Sequence, residues 1–398
     1  MSTNRTFMNN LIRYDKFLLK LIIKNHMTQV DYYEIVRQKL QLGPIIAPKH
    51  KKIFELMKIF WNEEEIKILS QFNKAGRITS LKELTEKTGI SKQEIKRILK
   101  RSIINGTLSK FGTKYKLIPL IPGIFEKYYI ARKDSEENQK KAAEIYRFLI
   151  KQAPDLEKIN ERTKIFRPLL PYEAKEKLIK IDKSLNAQSE VLPYEFVRDM
   201  IDKNESFAVI PCQCRLIGEY TGEPCEVASA EMGCFVTGAG AEMLIKQGAK
   251  RLNKEEAIDF IKETEKAGLV HNTVFDTGKE TSIFVCNCCS CHCGALYPAK
   301  LYHYRGVNQS NFAPEFDIEL CTKCEICMNK CPNEAIYHIL PNKPDSSDEK
   351  MKLREEFCIG CGICAVNCPN NAIKMVKVRN EFPEKVVIEG QSFEDLIT

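Results

Sequence analysis

The first half of this 398-residue chain has no cysteine, although the whole chain has 17. The change at Cys212 is the clearest boundary in the sequence and predicts that two kinds of domain meet there. No hydrophobic run approaches the length of a membrane span, and the apolar stretch 18–23, broken by Lys20, is too short for a secretory signal. We therefore expect a reducing cytoplasm, where clustered cysteines bind metal instead of forming disulfides.

The chain also lacks the short signatures of common catalytic sites. It has no phosphate-binding loop and no HExxH motif, and Met243 stands where a dinucleotide fingerprint over 236–243 needs a third small residue. His271 follows an apolar helix exit, where packing or capping is the expected role. The net charge of +8 permits an acidic partner without requiring nucleic acid. No catalytic residue is predicted.

Two copies of one cysteine pattern lie near the C-terminus. Each copy reads C-x2-C-x2-C-x3-C followed by proline; the copies are Cys321, Cys324, Cys327 and Cys331, and Cys358, Cys361, Cys364 and Cys368. CPNEAIY at 331–337 is echoed by CPNNAIK at 368–374, and all matching positions are offset by 37 residues. The repeat predicts an internal duplication whose thiolates hold metal.

Residues 315–378 resemble the bacterial dicluster ferredoxins. The resemblance implies two [4Fe-4S] clusters, and the proline after each fourth cysteine turns the chain toward the other cluster. The expected ligand sets are Cys321, Cys324, Cys327 and Cys368 for one cluster, and Cys358, Cys361, Cys364 and Cys331 for the other. The polar segment 342–350 departs from the family and is expected to be a surface loop. Paired zinc knuckles are the alternative, but these usually combine C-x2-C units or Cys with His.

The region 201–310 carries the other nine cysteines. They are Cys212, Cys214, Cys225, Cys234, Cys286, Cys288, Cys289, Cys291 and Cys293, and His292 lies within the last run, VCNCCSCHC. So many thiols predict at least one further iron–sulfur cluster, with a zinc site or a redox-active dithiol as alternatives. The adjacent side chains of Cys288 and Cys289 should point apart and serve different sites. A helix capped by Asn253 and Glu256 and ended by Gly268 should separate the two cysteine groups.

Three capped helices followed by a two-stranded hairpin are predicted over 60–120, with N-caps at Asn62, Ser80 and Ser91. This order resembles a winged helix-turn-helix. The third helix and the hairpin offer side chains that can contact DNA: Lys92, Gln93, Lys96, Arg97, Lys100, Arg101, Lys110 and Lys114. Winged helices also dock proteins, so DNA binding is not the leading prediction.

The order of modules over 60–375 is similar to that of a family of multi-cluster 4Fe-4S dicluster-domain proteins. The similarity rests on PGIFEKYY, PCQCRLIGEYTGEPC, GLVHNTVF, VCNCCSCHCGAL and the terminal cysteine repeats. It implies that the middle cysteines form a metal module and that the protein is an electron carrier.

We thus predict a multidomain α+β protein. Its expected parts are N-terminal helices at 1–59 (with a packing helix around 18–22), a winged helix-like domain at 60–132, a helical connector at 133–200, a cysteine-rich metal domain at 201–310, a dicluster ferredoxin domain at 311–378 and a tail at 379–398. The leading function is electron transfer as a component of an oxidoreductase system. The alternatives are a redox-responsive DNA-binding regulator and a catalytic subunit whose middle cluster has an open iron.

Overall fold

The structure is a computed structural model that describes residues 30–41, 47–152, 166–174, 179–181, 195–274, 284–302, 307–340 and 350–381. The packing helix predicted around 18–22, most of the loop 342–350 and most of the tail 379–398 lie outside these residues. Within them the chain combines helices with several small sheets and ends in a ferredoxin-like part. No described helix is long and apolar enough to cross a membrane.

The cysteine-free part begins as a helical body that carries one small sheet. Its elements are α1 (Tyr32–Lys39), α2 (Lys51–Phe60), α3 (Glu63–Leu69), β1 (Ile78–Ser80), α4 (Leu81–Thr88), α5 (Lys92–Ile98), α6 (Lys100–Ile104), β2 (Ser109–Phe111) and β3 (Lys114–Lys116). The strands form an antiparallel sheet in the order β1-β3-β2. Asn62 and Glu65 form the predicted reciprocal capping box of α3. The predicted caps Ser80 and Ser91 each accept a hydrogen bond from the backbone N–H three residues on.

A dense aromatic core holds this helical body together. A π-helical turn (Leu120–Ile124) leads into α7 (Phe125–Ala131), and α8 (Glu136–Lys151) follows. The predicted packing strip of Phe125, Tyr128 and Tyr129 is buried, and the rings of Phe125 and Tyr146 lie 4.5 Å apart between centroids. Aromatic pairs at such distances stabilise a core beyond the effect of buried area alone. Helices α7 and α8 are therefore held tightly in the core of the helical body.

The segment 133–200, predicted as a helical connector, is only partly helical. After α8 come β4 (Phe166–Pro168), β5 (Ile179–Ile181) and α9 (Val197–Asp202). Each strand is three residues long. A strand of three residues is too short to show an alternation of apolar and polar side chains. Its conformation is set by pairing with strands that are distant in sequence. The predicted helical connector therefore contains two short strands that the sequence pattern did not reveal.

A six-stranded antiparallel sheet forms the centre of the cysteine-rich part. Besides β4 it contains β6 (Phe207–Ile210), β7 (Cys234–Thr237), β8 (Lys250–Leu252), β9 (Val270–Val274) and β10 (Phe284–Cys288), in the order β4-β9-β10-β7-β6-β8. Its helices are α10 (Gln213–Tyr220), α11 (Gly238–Lys246), α12 (Lys254–Ala267) and α13 (Leu296–Tyr302). The capping box of Asn253 and Glu256 and the left-handed end of α12 at Gly268 confirm the prediction. Leu216 and Ile217 of α10 enter the core of the helical body and join the two parts.

The two cysteine repeats fold as matching halves. Strand β11 (Phe312–Phe316) pairs antiparallel with β14 (Ile373–Lys377), and β12 (Ile336–Ile339) pairs antiparallel with β13 (Lys350–Leu353). Strand β5 extends the first pair, parallel to β14. The one-turn helices α14 (Ile326–Asn329) and α15 (Ile363–Val366) begin 37 residues apart, the offset of the sequence repeat. The predicted duplication is therefore present in the backbone.

Candidate metal centres

Left-handed backbone at three repeated positions shapes both cysteine loops. Positive φ angles occur in pairs related by the repeat: Lys323 and Gly360 (58° and 69°), Glu325 and Gly362 (60° and 74°), and Glu334 and Asn371 (54° and 51°). Non-glycine residues seldom adopt this region, so its recurrence marks a required turn. The N–H groups of Ala335 and Ala372 then donate to the sulfurs of Cys331 and Cys368, at 3.2 and 3.3 Å. Such bonds stabilise anionic sulfur.

Cys368 of the second repeat lies with the first three cysteines of the first repeat. Burial raises the pKa of Cys327 to about 11, and the thiol charges that act in the same direction are those of Cys321, Cys368 and Cys324. Cys327 is buried, whereas Cys324 is exposed. We name these four residues the first ferredoxin site.

Cys331 of the first repeat lies with the first three cysteines of the second. Burial raises the pKa of Cys364 well above its ordinary value, and the charges of Cys361, Cys358 and Cys331, followed by that of Cys327, add to this effect. All four side chains line one cavity. We name them the second ferredoxin site. Four thiols that line one cavity are a donor set that fits a cubane of iron and sulfide.

Residues 320–373 match the family model of the 4Fe-4S dicluster domain. This segment is therefore a dicluster domain. It contains both cysteine repeats, and its eight cysteines fit two [4Fe-4S] clusters better than zinc knuckles. Neither a curated protein nor a solved structure shows a significant match to the chain.

Lys323 and Gly360 occupy the same position in the two repeats of the dicluster domain, and we predict that this charge difference makes the two clusters unequal. Reduction adds negative charge, which a nearby ammonium group stabilises. The Lys323→Ala variant should therefore lower the midpoint potential of the first ferredoxin site by roughly 30 mV. The potential of the second site should stay unchanged. An anaerobic redox titration followed by electron paramagnetic resonance measures both, and two unmoved potentials would contradict the prediction.

Six of the nine middle cysteines form a further group of thiols beside the dicluster domain. They are Cys212, Cys214, Cys234, Cys286, Cys288 and Cys293, named here the six-thiol group, and each contacts at least one other member. The register of β7 and β10 brings Cys234 opposite Cys286, with the two sulfurs 3.9 Å apart. The sulfurs of Cys288 and Cys293 are 3.2 Å apart. Contacts with the thiols of Cys286 and Cys293 lower the pKa of Cys288 well below its ordinary value.

A buried guanidinium lies between these thiols and Cys289, and it contacts the Cys289 thiol. Arg215 of α10 has no exposed surface, and it donates hydrogen bonds of 2.9 Å to the carbonyls of Ser229 and Asn287. Contact with the Cys214 thiol lowers the pKa of Cys212, and the charge of Arg215 acts in the same direction. A buried cation needs an anionic neighbour. The arrangement therefore favours the thiolate, which is the form that binds metal, at Cys212 and Cys288. Contact with a neighbouring thiol raises the pKa of Cys214, Cys286 and Cys293.

The other three middle cysteines and His292 form a separate group. The ligand atoms of Cys225, Cys289, Cys291 and His292 all lie within 4.8 Å of one another, and we name these residues the tight group. Cys288 therefore faces the six-thiol group while Cys289 faces the tight group. The two adjacent thiols therefore have different neighbours, as their adjacency predicted; that they serve different metal sites stays a prediction.

His271 is a packed residue, as predicted. Its two ring nitrogens lie 2.7 Å from Asn287 Oδ1 and 3.1 Å from Glu265 Oε1, and the side chain is 1% exposed. Both nitrogens are thus engaged by protein groups and neither faces a thiol group. His271 gives no reason to propose catalysis.

Proposed function

We propose that the protein transfers electrons between a redox partner and its own cysteine-rich part by way of the dicluster domain. In this proposal the first and second ferredoxin sites each hold one [4Fe-4S] cluster. A cluster bound in this way accepts and releases single electrons, at a potential that depends on hydrogen bonds to sulfur and on solvent exposure. The crossed ligand sets are supported by the thiol neighbours of Cys327 and Cys364.

The observation that carries the proposal is one apolar core shared by the second ferredoxin site and the six-thiol group. Cys361 of the former packs in it with Cys288 and Cys293 of the latter, together with Val270 and Ile363. Electron tunnelling weakens steeply with distance, and a close-packed core keeps two centres at a fixed short separation. The shared core therefore supports transfer between the dicluster domain and the middle cysteines.

The first ferredoxin site is the better placed to meet a partner. In the second repeat, a Cβ at Gly362 would lie 2.7 Å from the Pro171 side chain, so this loop is covered by the protein. The matching position of the first repeat carries the bulky side chain of Glu325 instead. Cys324 is exposed, and nearby Ile318 is 65% exposed. We infer that a partner docks over the first repeat and that the second repeat faces inward.

We propose in addition that the six-thiol group holds a third iron–sulfur cluster, with ligands drawn from its six members. Four thiolates suffice for a cubane. The buried charge of Arg215 offsets part of the negative charge that such a cluster brings into the interior. The contacts between Cys234 and Cys286, and between Cys288 and Cys293, bring ligands from β7, β10 and the turn after β10 together.

Iron and sulfide content of the anaerobically purified chain tests this proposal. We expect brown protein with about twelve irons and twelve sulfides per chain. About eight of each would confine iron–sulfur chemistry to the dicluster domain and contradict the third cluster. Colourless protein without iron would end the electron-transfer proposal altogether. The Cys358→Ala variant is the matched control, since it should lose about four irons by removing one ligand of the second ferredoxin site.

A redox-responsive DNA-binding role is the second candidate. The order of α3 to α6 and the hairpin of β2 and β3 supports a winged helix, and several of its polar side chains are exposed: Lys92, Gln93, Lys96, Lys100, Lys110 and Lys114. Arg97, however, pairs with Glu94, and Arg101 pairs with the buried Glu65 at 2.6 Å. These two side chains already form ion pairs with carboxylates of the protein, so we place DNA binding second. Duplex binding that falls steeply with salt would reverse this order.

The division of the chain into the six parts given above and its cytoplasmic location stay predictions. The electron-transfer proposal constrains the chemistry of the partner. It must exchange single electrons and present a surface that covers an apolar side chain such as Ile318.

A further inference from the structure

The tight group is more compact than any other set of ligating side chains among the described residues. It is the one group there in which three or more ligand atoms all lie within 4.8 Å, and the sulfurs of Cys225 and Cys291 are 3.3 Å apart. Ligands at about 2.0–2.3 Å from one tetrahedral ion lie about 3.3–3.8 Å from each other. The thiolates of a cubane bind four different irons and are spread more widely. The eight cysteines of the dicluster domain, all described, form no group this compact.

His292 presents one ring nitrogen to this group. Its Nε2 lies 2.7 Å from the carbonyl oxygen of Glu223. A carbonyl can only accept, so Nε2 carries a proton, and in the neutral imidazole the lone pair of Nδ1 is then available to a metal ion. Nδ1 is buried and has no hydrogen-bond partner. A ligating histidine typically donates its other N–H to a backbone carbonyl in this way.

The protein holds this imidazole in place from two sides. The Glu223 carboxylate pairs with Arg147 at 2.8 Å and with Lys151 at 2.7 Å, both on α8. Arg147 also donates to the carbonyl of Cys291 at 3.3 Å. On the other side lies Gly218 of α10, where a Cβ would come within 2.5 Å of the His292 ring. The orientation of His292 is thus fixed by the cysteine-free body as well as by the cysteine-rich part.

We propose that Cys225, Cys289, Cys291 and His292 bind one zinc ion in a closed structural site. Three thiolates and one imidazole are a ligand set of structural zinc sites, which have four protein ligands and no open position. Cys289 and His292 are 2% and 4% exposed, whereas Cys225 and Cys291 are half-buried, so the site is covered on the side of Cys289 and His292. The ion fastens the loop of Cys225 and the end of β10 against α8 and α10. Zinc therefore joins the cysteine-free body to the sheet that carries the six-thiol group, and takes no part in electron transfer.

Metal analysis of the intact chain, purified without oxygen, tests this inference. The wild type should contain about one zinc beside its iron. Cys291→Ala should remove the zinc and leave iron and sulfide unchanged. Cys293→Ala is the matched control, since it lies two residues away in the six-thiol group and should keep the zinc. A wild type without zinc, or a Cys291→Ala chain that loses iron and not zinc, would overturn the inference. Zinc without iron would uphold it while ending the electron-transfer proposal.

If Cys291→Ala fails to fold, replacing zinc by cobalt in the wild type still tests the inference. Wild-type chain produced with cobalt in place of zinc should show the intense visible absorption of tetrahedral thiolate-bound Co²⁺. His292→Cys should retain cobalt and shift this absorption, because a fourth thiolate replaces the imidazole. Absence of a tetrahedral cobalt spectrum in the wild type, or a spectrum that His292→Cys leaves unmoved, would overturn the inference.

Discussion

Cys331→Ala should remove the cluster that belongs to the second cysteine repeat, although Cys331 itself lies in the first. Its thiol lines the cavity of Cys358, Cys361 and Cys364. Losing one of four ligands should cost the chain about four irons and four sulfides. Cys368→Ala is the mirror variant and should cost the same amount from the first ferredoxin site. Anaerobic iron and sulfide analysis measures the loss in both.

The identity of the surviving cluster can be read from Lys323. In Cys331→Ala the remaining dicluster-domain centre is expected to be the first ferredoxin site, whose loop contains Lys323. Adding Lys323→Ala to this variant should lower the remaining midpoint potential, and adding it to Cys368→Ala should not. The reverse result would mean that each repeat supplies all four ligands of its own cluster, and the crossed assignment would be wrong.

The dicluster domain could be predicted because the residues that identify it lie close together in the sequence. Three of the four cysteines of each site lie within seven residues of sequence, and the proline and the 37-residue repeat extend the signal. The backbone repeats the left-handed turn at Lys323 and Gly360, although only one of them is glycine. Sequence alone did not show which repeat faces inward, since this depends on contacts such as that of Gly362 with Pro171.

The middle cysteines were predicted as ligands, but their grouping was not. Cys225 and Cys291 are 66 residues apart in sequence, and their approach depends on where α10 and β10 lie in the fold. Cys234 meets Cys286 only because β7 and β10 pair in one register. Two partial signals were present in the sequence: the adjacency of Cys288 and Cys289, and a histidine between two cysteines. Neither could reveal that the Glu223 carbonyl orients His292.

The second large effect is expected at Gly360 in the loop of the second ferredoxin site. Its φ of 69° is left-handed, and an added Cβ would lie 2.2 Å from both the carbonyl oxygen of Phe312 and the hydroxyl of Ser310. That hydroxyl also donates to the Gly360 carbonyl at 2.6 Å, so the loop cannot move away without breaking this bond. Strain and overpacking together should make Gly360→Ala less stable by about 3 kcal/mol.

Lys323→Ala is the matched control for Gly360→Ala, because it changes the equivalent left-handed position of the first repeat, where a side chain is already tolerated. Its unfolding temperature should stay close to that of the wild type. Gly360→Ala should unfold at a clearly lower temperature and lose about four irons on anaerobic dialysis, since the displaced loop carries Cys358 and Cys361. Thermal unfolding with iron analysis of the same samples measures both effects. Equal behaviour of the two variants would show that the second loop is not held against residues 310–312 and would contradict this prediction.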